Sequence, residues 1–174
     1  MSAQVLLSVE DAHVVFGGVR ALDGASIAVR DGDLCGLIGP NGSGKSTLLA
    51  AVSRLTDLTS GRLVMDGKDY TSVPRHQASW FGITRTFQTV RLLEGMSVLE
   101  NVMLGAGGQT VRRSPVRVWL DLRAGRADEA KARAAALRAL ERVGMEHMLD
   151  AYPEDLPYGT QRRVEIARAL AGEP

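Results

Sequence analysis

Apolar residues in this chain fall into short clustered runs near the start and into spaced, helical repeats further on, and the two patterns predict different elements. "VLLSVE" (5–10), "AHVVF" (12–16) and "ASIAVR" (25–30) are rich in aliphatic and β-branched residues and are set off by the turn formers Gly17-Gly18, Asp23-Gly24 and Asp31-Gly32. They predict an antiparallel, strand-rich beginning. "LCGLIG" (34–39) is apolar almost throughout, which predicts a strand buried on both faces of a mostly parallel sheet, with Cys35 a small core residue inside it. The stretch "KSTLLAAVSRL" (45–55) carries Leu48, Val52 and Leu55 at helical spacing. "GRLVMDG" (61–67) and "ITRTFQ" (83–88) read as further strands. Ser97, followed three positions later by Glu100, predicts a capping box at the head of a helix over "SVLENVMLGA" (97–106). From Arg126 to Val143, Ala130, Ala134, Leu137 and Leu140 are spaced for one face of a long helix ended by Gly144, its charges forming a solvated outer face. Before it, "QTVRRSPVRV" (109–118) is basic and irregular, and predicts a flexible insertion.

Composition narrows this picture only a little. With 174 residues, 45% of them hydrophobic, the chain can bury one real core, so one compact unit is expected. A formal net charge of +1, with 24% charged residues, gives no global field that would attract nucleic acid or an anionic membrane surface. One cysteine permits no internal disulfide, so a reducing compartment, the cytoplasm, is the expectation. The N-terminus lacks the long apolar core of a signal peptide, and no apolar run approaches membrane-spanning length. His13, His76 and His147 are far apart and without ligand-like neighbours, so surface or core roles are expected of them.

"GPNGSGKST", Gly39 to Thr47, is the strongest chemical signal in the chain. It matches the pattern of glycine, four residues, then Gly-Lys-Ser, placed between a predicted strand and a predicted helix. Gly42 and Gly44 would let successive backbone N–H groups converge on an anion, and the partly positive start of the following helix would reinforce them. Lys45 is expected to reach the β- and γ-phosphates of a nucleotide, and the Ser46 hydroxyl to hold Mg²⁺, a metal that prefers hard oxygen ligands.

Taken in order, "GPNGSGKST", "TRTFQ" and "LPYGTQRRVEIARAL" resemble the ATP-binding subunits of ABC transporters, from about Leu6 to the last residue. "QTVRLLEGMSVLENVMLG" makes the likeness strongest to the LivG type, which serves branched-chain amino acid importers. The resemblance implies an α/β phosphate-loop NTPase with an antiparallel N-terminal subdomain, a partial parallel-sheet core and a helical signature subdomain. Its implied boundaries are a nucleotide-binding core over 1–88, a helical subdomain over 89–158 and a signature helix over 159–174. Asn41 and Thr47 join Gly39, Gly42, Gly44, Lys45 and Ser46 in the implied ATP site. Phe16 falls where the family stacks an aromatic ring on adenine, although its residue type alone equally suits core packing. Gln88 falls at the family's Q-loop, where the amide meets Mg²⁺ or the attacking water and the following loop contacts the membrane subunit.

Leu156 to Gln161 occupies the signature position, so Tyr158, Gly159 and Gln161 are implied to serve the ATP held by the opposite subunit. Pro157 stands where serine is usual and removes a hydroxyl, while Tyr158 and Thr160 replace the usual glycine and glutamine. The implied partners are a second ATP-binding subunit in a head-to-tail pair and transmembrane permease subunits, without nucleic acid, and the implied place is the cytoplasmic face of the inner membrane, peripherally bound. In the family, an apolar strand ending in Asp and Glu and a later histidine follow the signature helix, whereas these residues end at "AGEP". Without that carboxylate pair no group is expected to orient water, so the 174-residue chain alone is expected to lack ATPase activity and to leave its 34–39 strand uncovered. Other readings are an ABC ATPase for lipid or lipopolysaccharide export, a soluble ABC protein acting on ribosomes or DNA, and a non-catalytic nucleotide-binding fragment.

Overall fold

The computed structural model describes residues 4–87, 89–110 and 122–174. Length predicts one compact unit, but the residues cluster into two, Met1–Ala78 and Ser79–Pro174. In the first, strands β1 (Val5–Phe16), β2 (Val19–Arg30), β3 (Ser60–Met65) and β4 (Lys68–Asp69) form one sheet in the order β2-β1-β3-β4. Every pairing in it is antiparallel.

Of the two runs predicted before Gly17, the structure makes one strand, because a bulge joins them. Asp11 takes a left-handed conformation, φ 46°, and the register with both neighbouring strands shifts across it. That extra residue moves the buried face from Val9 to Ala12 and Val14, where strict alternation would have buried Asp11 and His13. Asp11 and Asp23 instead place carboxylates 3.1 and 3.2 Å from the two ring nitrogens of His13.

Residues 33–40 form no strand, contrary to the prediction for "LCGLIG". A strand needs a hydrogen-bonding neighbour, and none of the described residues pairs with this segment, so Leu34, Ile38 and Cys35 stand exposed. The parallel part of the expected core is therefore not formed among the described residues, and "ITRTF" is likewise irregular.

Helix α1 spans Lys45–Val52 and buries Leu48 and Ala51. It is shorter than its apolar spacing suggests. The Ser53 hydroxyl donates to the Leu49 carbonyl at 2.6 Å and Arg54 turns left-handed, φ 56°, which leaves Leu55 exposed. Arg54 itself is buried, donating to the Val73 carbonyl at 3.0 Å and to Asp57 at 2.8 Å. Beside it the buried Tyr70 hydroxyl donates to the Val52 carbonyl at 3.2 Å.

The second unit is helical: α2 (Val98–Thr110), α3 (Leu122–Arg142) and α4 (Tyr158–Ala171) share a core that includes Val98, Val102, Ala136, Leu140, Met145 and Val164. On α3 the buried stripe is Ala132, Ala136, Ala139 and Leu140, so the predicted Ala130 and Ala134 face solvent. In an alanine-rich helix the small side chains make several faces look alike, and the packing partner decides which is covered. Gly144 ends this region in the left-handed conformation expected of it, φ 67°. All but the first two residues of "QTVRRSPVRV" lie outside the described residues, while Gln109 and Thr110 fall in α2. At Gly105 the α2 backbone meets α4 so closely that a Cβ would lie 1.8 Å from the Arg168 carbonyl oxygen.

The capping box forms as predicted. The Ser97 N–H donates to Glu100 at 2.8 Å and the Glu100 N–H donates to the Ser97 hydroxyl at 3.2 Å. Hydrogen bonds from the Ser97 backbone N–H and from the Ser97 side chain hold the Glu100 carboxyl below its ordinary value. Its contribution is then present above the ordinary carboxylate pKa and is lost as pH falls through the lowered one. We expect Ser97→Ala to cost about 1 kcal/mol at neutral pH in urea unfolding, and a Glu100→Ala deficit to vanish in acid. Burial pushes the Tyr70 hydroxyl up to about 12. Stability should be fully retained below the unfolded tyrosine value of 10.0 and decline as pH rises toward about 12, in step with a late phenolate absorbance change for Tyr70.

Candidate functional site

The phosphate-loop residues converge because the local backbone leaves them little choice. Gly44 caps α1 in the left-handed conformation, φ 85° and ψ 1°, and Gly42 before it has φ 83°. Space as well as dihedral angle selects glycine at 44: a Cβ there would lie 2.7 Å from the Ala21 carbonyl oxygen and 2.8 Å from a Leu22 methyl, so β2 sits directly against the loop. Inside the loop the Ser43 N–H donates to the Pro40 carbonyl at 3.3 Å.

No side chain caps α1 and no acidic residue lies in its first turn. Among the described residues no protein group accepts from the N–H groups of Gly44, Lys45, Ser46 or Thr47; the first α1 bond runs from the Leu48 N–H to the Gly44 carbonyl at 2.8 Å. Four donors at one helix start with no protein acceptor form a preorganised cradle for an anion. Lys45 folds back over it, its ammonium 2.8 Å from the Gly39 carbonyl and 2.5 Å from that of Pro40. These carbonyls hold the cation at the loop, where it can exchange them for phosphate oxygens. The Ser46 side chain is exposed and meets no protein partner among the described residues. Asn41 is exposed in the loop and Thr47 is half-buried in the first turn of α1. This donor set fits a nucleotide phosphate chain with its divalent cation.

Phe16 lies in the same unit, at the end of β1 beside the Gly17-Gly18 turn. The residue is 52% exposed, so among the described residues it is not packed into the core. Gln88 lies outside the described residues.

In the second unit, the signature residues form the N-terminus of α4, with Pro157 at the cap, φ −56° and ψ 147°. The fixed proline ring suits this position but supplies no side-chain cap. Tyr158 and Gly159 are exposed at the helix head. Gln161, expected at a nucleotide, instead donates its amide to the carbonyls of Pro153 at 2.9 Å and Leu156 at 3.0 Å, bracing the turn that precedes the helix. Thr160 is buried, and its N–H and that of Gln161 both donate to the Pro157 carbonyl. The outward-facing part of the signature is thus Pro157-Tyr158-Gly159.

Two polar networks escaped the sequence reading. Asn101, fully buried on α2, accepts from the Leu93 N–H at 2.8 Å and donates to the carbonyls of Leu93, Met96 and Ser97 at 3.0 to 3.1 Å, which fixes the loop ahead of α2. Glu165 is only 2% exposed on α4; it accepts from the Phe87 N–H at 3.2 Å and from Arg162 at 2.6 Å, while Arg162 also donates to the Phe87 carbonyl. The available signal was an acidic residue among buried α4 positions, next to Val164, with arginine three places earlier.

A glycine-shaped anion cradle between a strand-rich sheet and a helix, overhung by lysine, defines a phosphate-loop nucleotide-binding protein. The particular branch follows from comparison with known proteins: the chain belongs to the ABC transporter family, whose model matches residues 22–174. It is 35% identical over 172 residues to a probable branched-chain amino acid transport ATP-binding protein LivG of Methanocaldococcus jannaschii, covering 97% of this chain and 65% of that protein. LivG of Salmonella typhimurium, a high-affinity branched-chain amino acid transport ATP-binding protein, is 33% identical, with 99% and 67% covered. Among solved structures, a nucleotide-free ATP-binding cassette from an ABC transporter aligns with a TM-score of 0.79 at 35% identity, over 98% of this chain and 66% of that one. An ABC transporter cassette in its ADP conformation aligns with a TM-score of 0.77 at 34% identity, with the same coverage. The chain therefore spans about two thirds of the length of the relatives it matches.

Gly44→Ala tests the cradle. A methyl group 2.7 Å from a backbone oxygen, at positive φ, forces either the loop or β2 to move. We expect loss of nucleotide binding by calorimetry together with about 2 kcal/mol of destabilisation, whereas Gly42→Ala, where the added Cβ meets nothing within 4 Å, should cost less.

Proposed function

We propose that this chain is the nucleotide-binding portion of an ATPase subunit that powers import of branched-chain amino acids. The observation that carries the reading is the row of N–H groups from Gly44 to Thr47 with no protein acceptor, beneath the Lys45 ammonium. Gly39, Asn41, Gly42 and Gly44 shape the loop, Lys45 and the N–H row hold the phosphates, and Phe16 stacks on the base. Ser46 and Gln88 hold Mg²⁺, which when bound neutralises phosphate charge. The identity of 33% to 35% with LivG proteins over nearly the whole chain supports the cargo.

Tyr158 and Gly159, at the exposed head of α4, serve the nucleotide of a second ATP-binding subunit paired head to tail. With Pro157 in place of a hydroxyl residue, that contact relies on backbone N–H groups and the positive end of the helix. Permease subunits complete the transporter, and this subunit sits peripherally on the cytoplasmic face of their membrane. No helix among the described residues is long and apolar enough to cross a membrane, in keeping with that division of labour.

Isothermal titration tests the central statement. We expect ATP with Mg²⁺ to bind the unmodified chain and Lys45→Ala to abolish tight binding, because phosphate charge then loses its nearest mobile counter-charge. Equal affinity in the two proteins would overturn the reading.

A further inference from the structure

Arg54, just past the end of α1, carries two costs at one residue. Its backbone is left-handed at φ 56°, which any residue with a Cβ disfavours, and its Nη1 atom is buried with no hydrogen-bond partner among the described residues. Strain of this kind persists only where the surroundings hold it in place. Here the Nε atom donates to the Val73 carbonyl at 3.0 Å and the Nη2 atom to Asp57 at 2.8 Å. From the other side the Tyr70 hydroxyl donates at 3.2 Å to the carbonyl of Val52, the last residue of α1. Burial pushes that hydroxyl up to about 12 against the opposing pull of the Arg54 guanidinium, so it stays a donor at neutral pH. Tyr70 and Val73 belong to one turn, closed by the Val73 N–H donating to the Tyr70 carbonyl at 3.1 Å. That turn is fastened to β3: the Tyr70 N–H donates to the Leu63 carbonyl at 2.9 Å, and the Leu63 N–H donates to the Thr71 hydroxyl at 2.8 Å.

Apolar packing does little to set the place of α1. The helix buries Leu48 and Ala51, three positions apart on one side, and the second contributes only a methyl group. Two such anchors oppose sliding along the axis and rotation about it weakly, whereas directional hydrogen bonds at fixed points oppose both. At its head α1 meets β2 beside Gly44, and at its tail the 70–73 turn ties it to β3 of the same sheet. Eight residues make a helix about 12 Å long, so a change of setting at the tail is carried to the N–H row at the head.

We propose that Arg54 and Tyr70 are positioning residues for the anion cradle, clamping the tail of α1 to the sheet so that the N–H groups of Gly44 to Thr47 converge on one phosphate chain. Neither side chain touches the nucleotide; both act through α1. The inference rests on the reading that this cradle binds the phosphates of ATP.

Calorimetry of Mg·ATP binding, paired with urea unfolding of the nucleotide-free protein, separates positioning from plain stabilisation in Arg54→Ala, Arg54→Gly and Tyr70→Phe. Arg54→Gly loses the same side chain as Arg54→Ala but relieves the positive φ, so its unfolding midpoint should lie above that of Arg54→Ala. Both should nevertheless bind Mg·ATP about tenfold more weakly than the unmodified chain, and by the same factor, since the clamp is gone in each. Tyr70→Phe keeps the ring in the core and removes only the hydroxyl, so it should fold and lose about fivefold in affinity. Binding by Arg54→Gly or Tyr70→Phe as tight as that of the unmodified chain overturns the positioning role. So does a loss in Arg54→Ala that Arg54→Gly recovers in step with its stability. Absence of ATP binding by the unmodified chain overturns the nucleotide reading instead, and the inference with it.

Discussion

Backbone N–H groups with no protein acceptor are expensive to keep, and the first unit is organised around four of them. The start of α1 could have been satisfied by a serine or aspartate cap, as Ser97 and Glu100 satisfy the start of α2. Instead Gly44 holds the cap position with no side chain to offer, and the loop places a lysine where an acid would otherwise neutralise the helix. What looks like a defect in one helix is a place where an anion can supply what the protein withholds. The sheet has to cooperate: β2 approaches Gly44 so closely that a side chain there would meet Ala21 and Leu22.

In the second unit the same constraint is met in the opposite way. The backbone N–H and carbonyl groups of Phe87 and of Leu93 are all bonded, by Glu165 and Arg162 from α4 and by Asn101 from α2. Charge burial at Glu165 would be unfavourable alone, and the Arg162 partner offsets it while both side chains share the Phe87 backbone. These backbones are thereby tied by hydrogen bonds to the helices behind them. At the head of α4 Pro157, Tyr158 and Gly159 face outward, while Gln161 and Thr160 turn their hydrogen bonds inward.

An ABC transporter cassette thus divides its chemistry between a unit that leaves donors open for phosphate and a unit that fixes loops through buried polar side chains. Small substitutions read differently in the two. At Gly44 the addition of one methyl group obstructs the backbone itself, whereas at Pro157 the exchange of a hydroxyl residue for proline preserves the helix start and changes only what that start can offer a ligand.

Local conformation was legible in the sequence wherever neighbours a few residues apart decide the outcome: the glycine-shaped turn before α1, the Ser97–Glu100 box, the left-handed end at Gly144, and the start of α4 after a proline. Properties set by distant partners were not. Val9, Ala12 and Val14 share a face only because Asp11 bulges against two other strands, and no periodicity rule anticipates an inserted residue. "LCGLIG" has the composition of a buried strand, but composition cannot provide the neighbouring strand that its N–H and C=O groups require, and Cys35 is exposed for that reason. Alanines on α3 carried too little contrast to mark the covered face, which packing against α2 and α4 selected. Glu165 shows the limit most plainly. Its sequence neighbours suggest a charge on a helix, and only the fold brings Phe87, 78 positions earlier, within reach of its carboxylate, because a hydrogen bond depends on where two backbones meet in space.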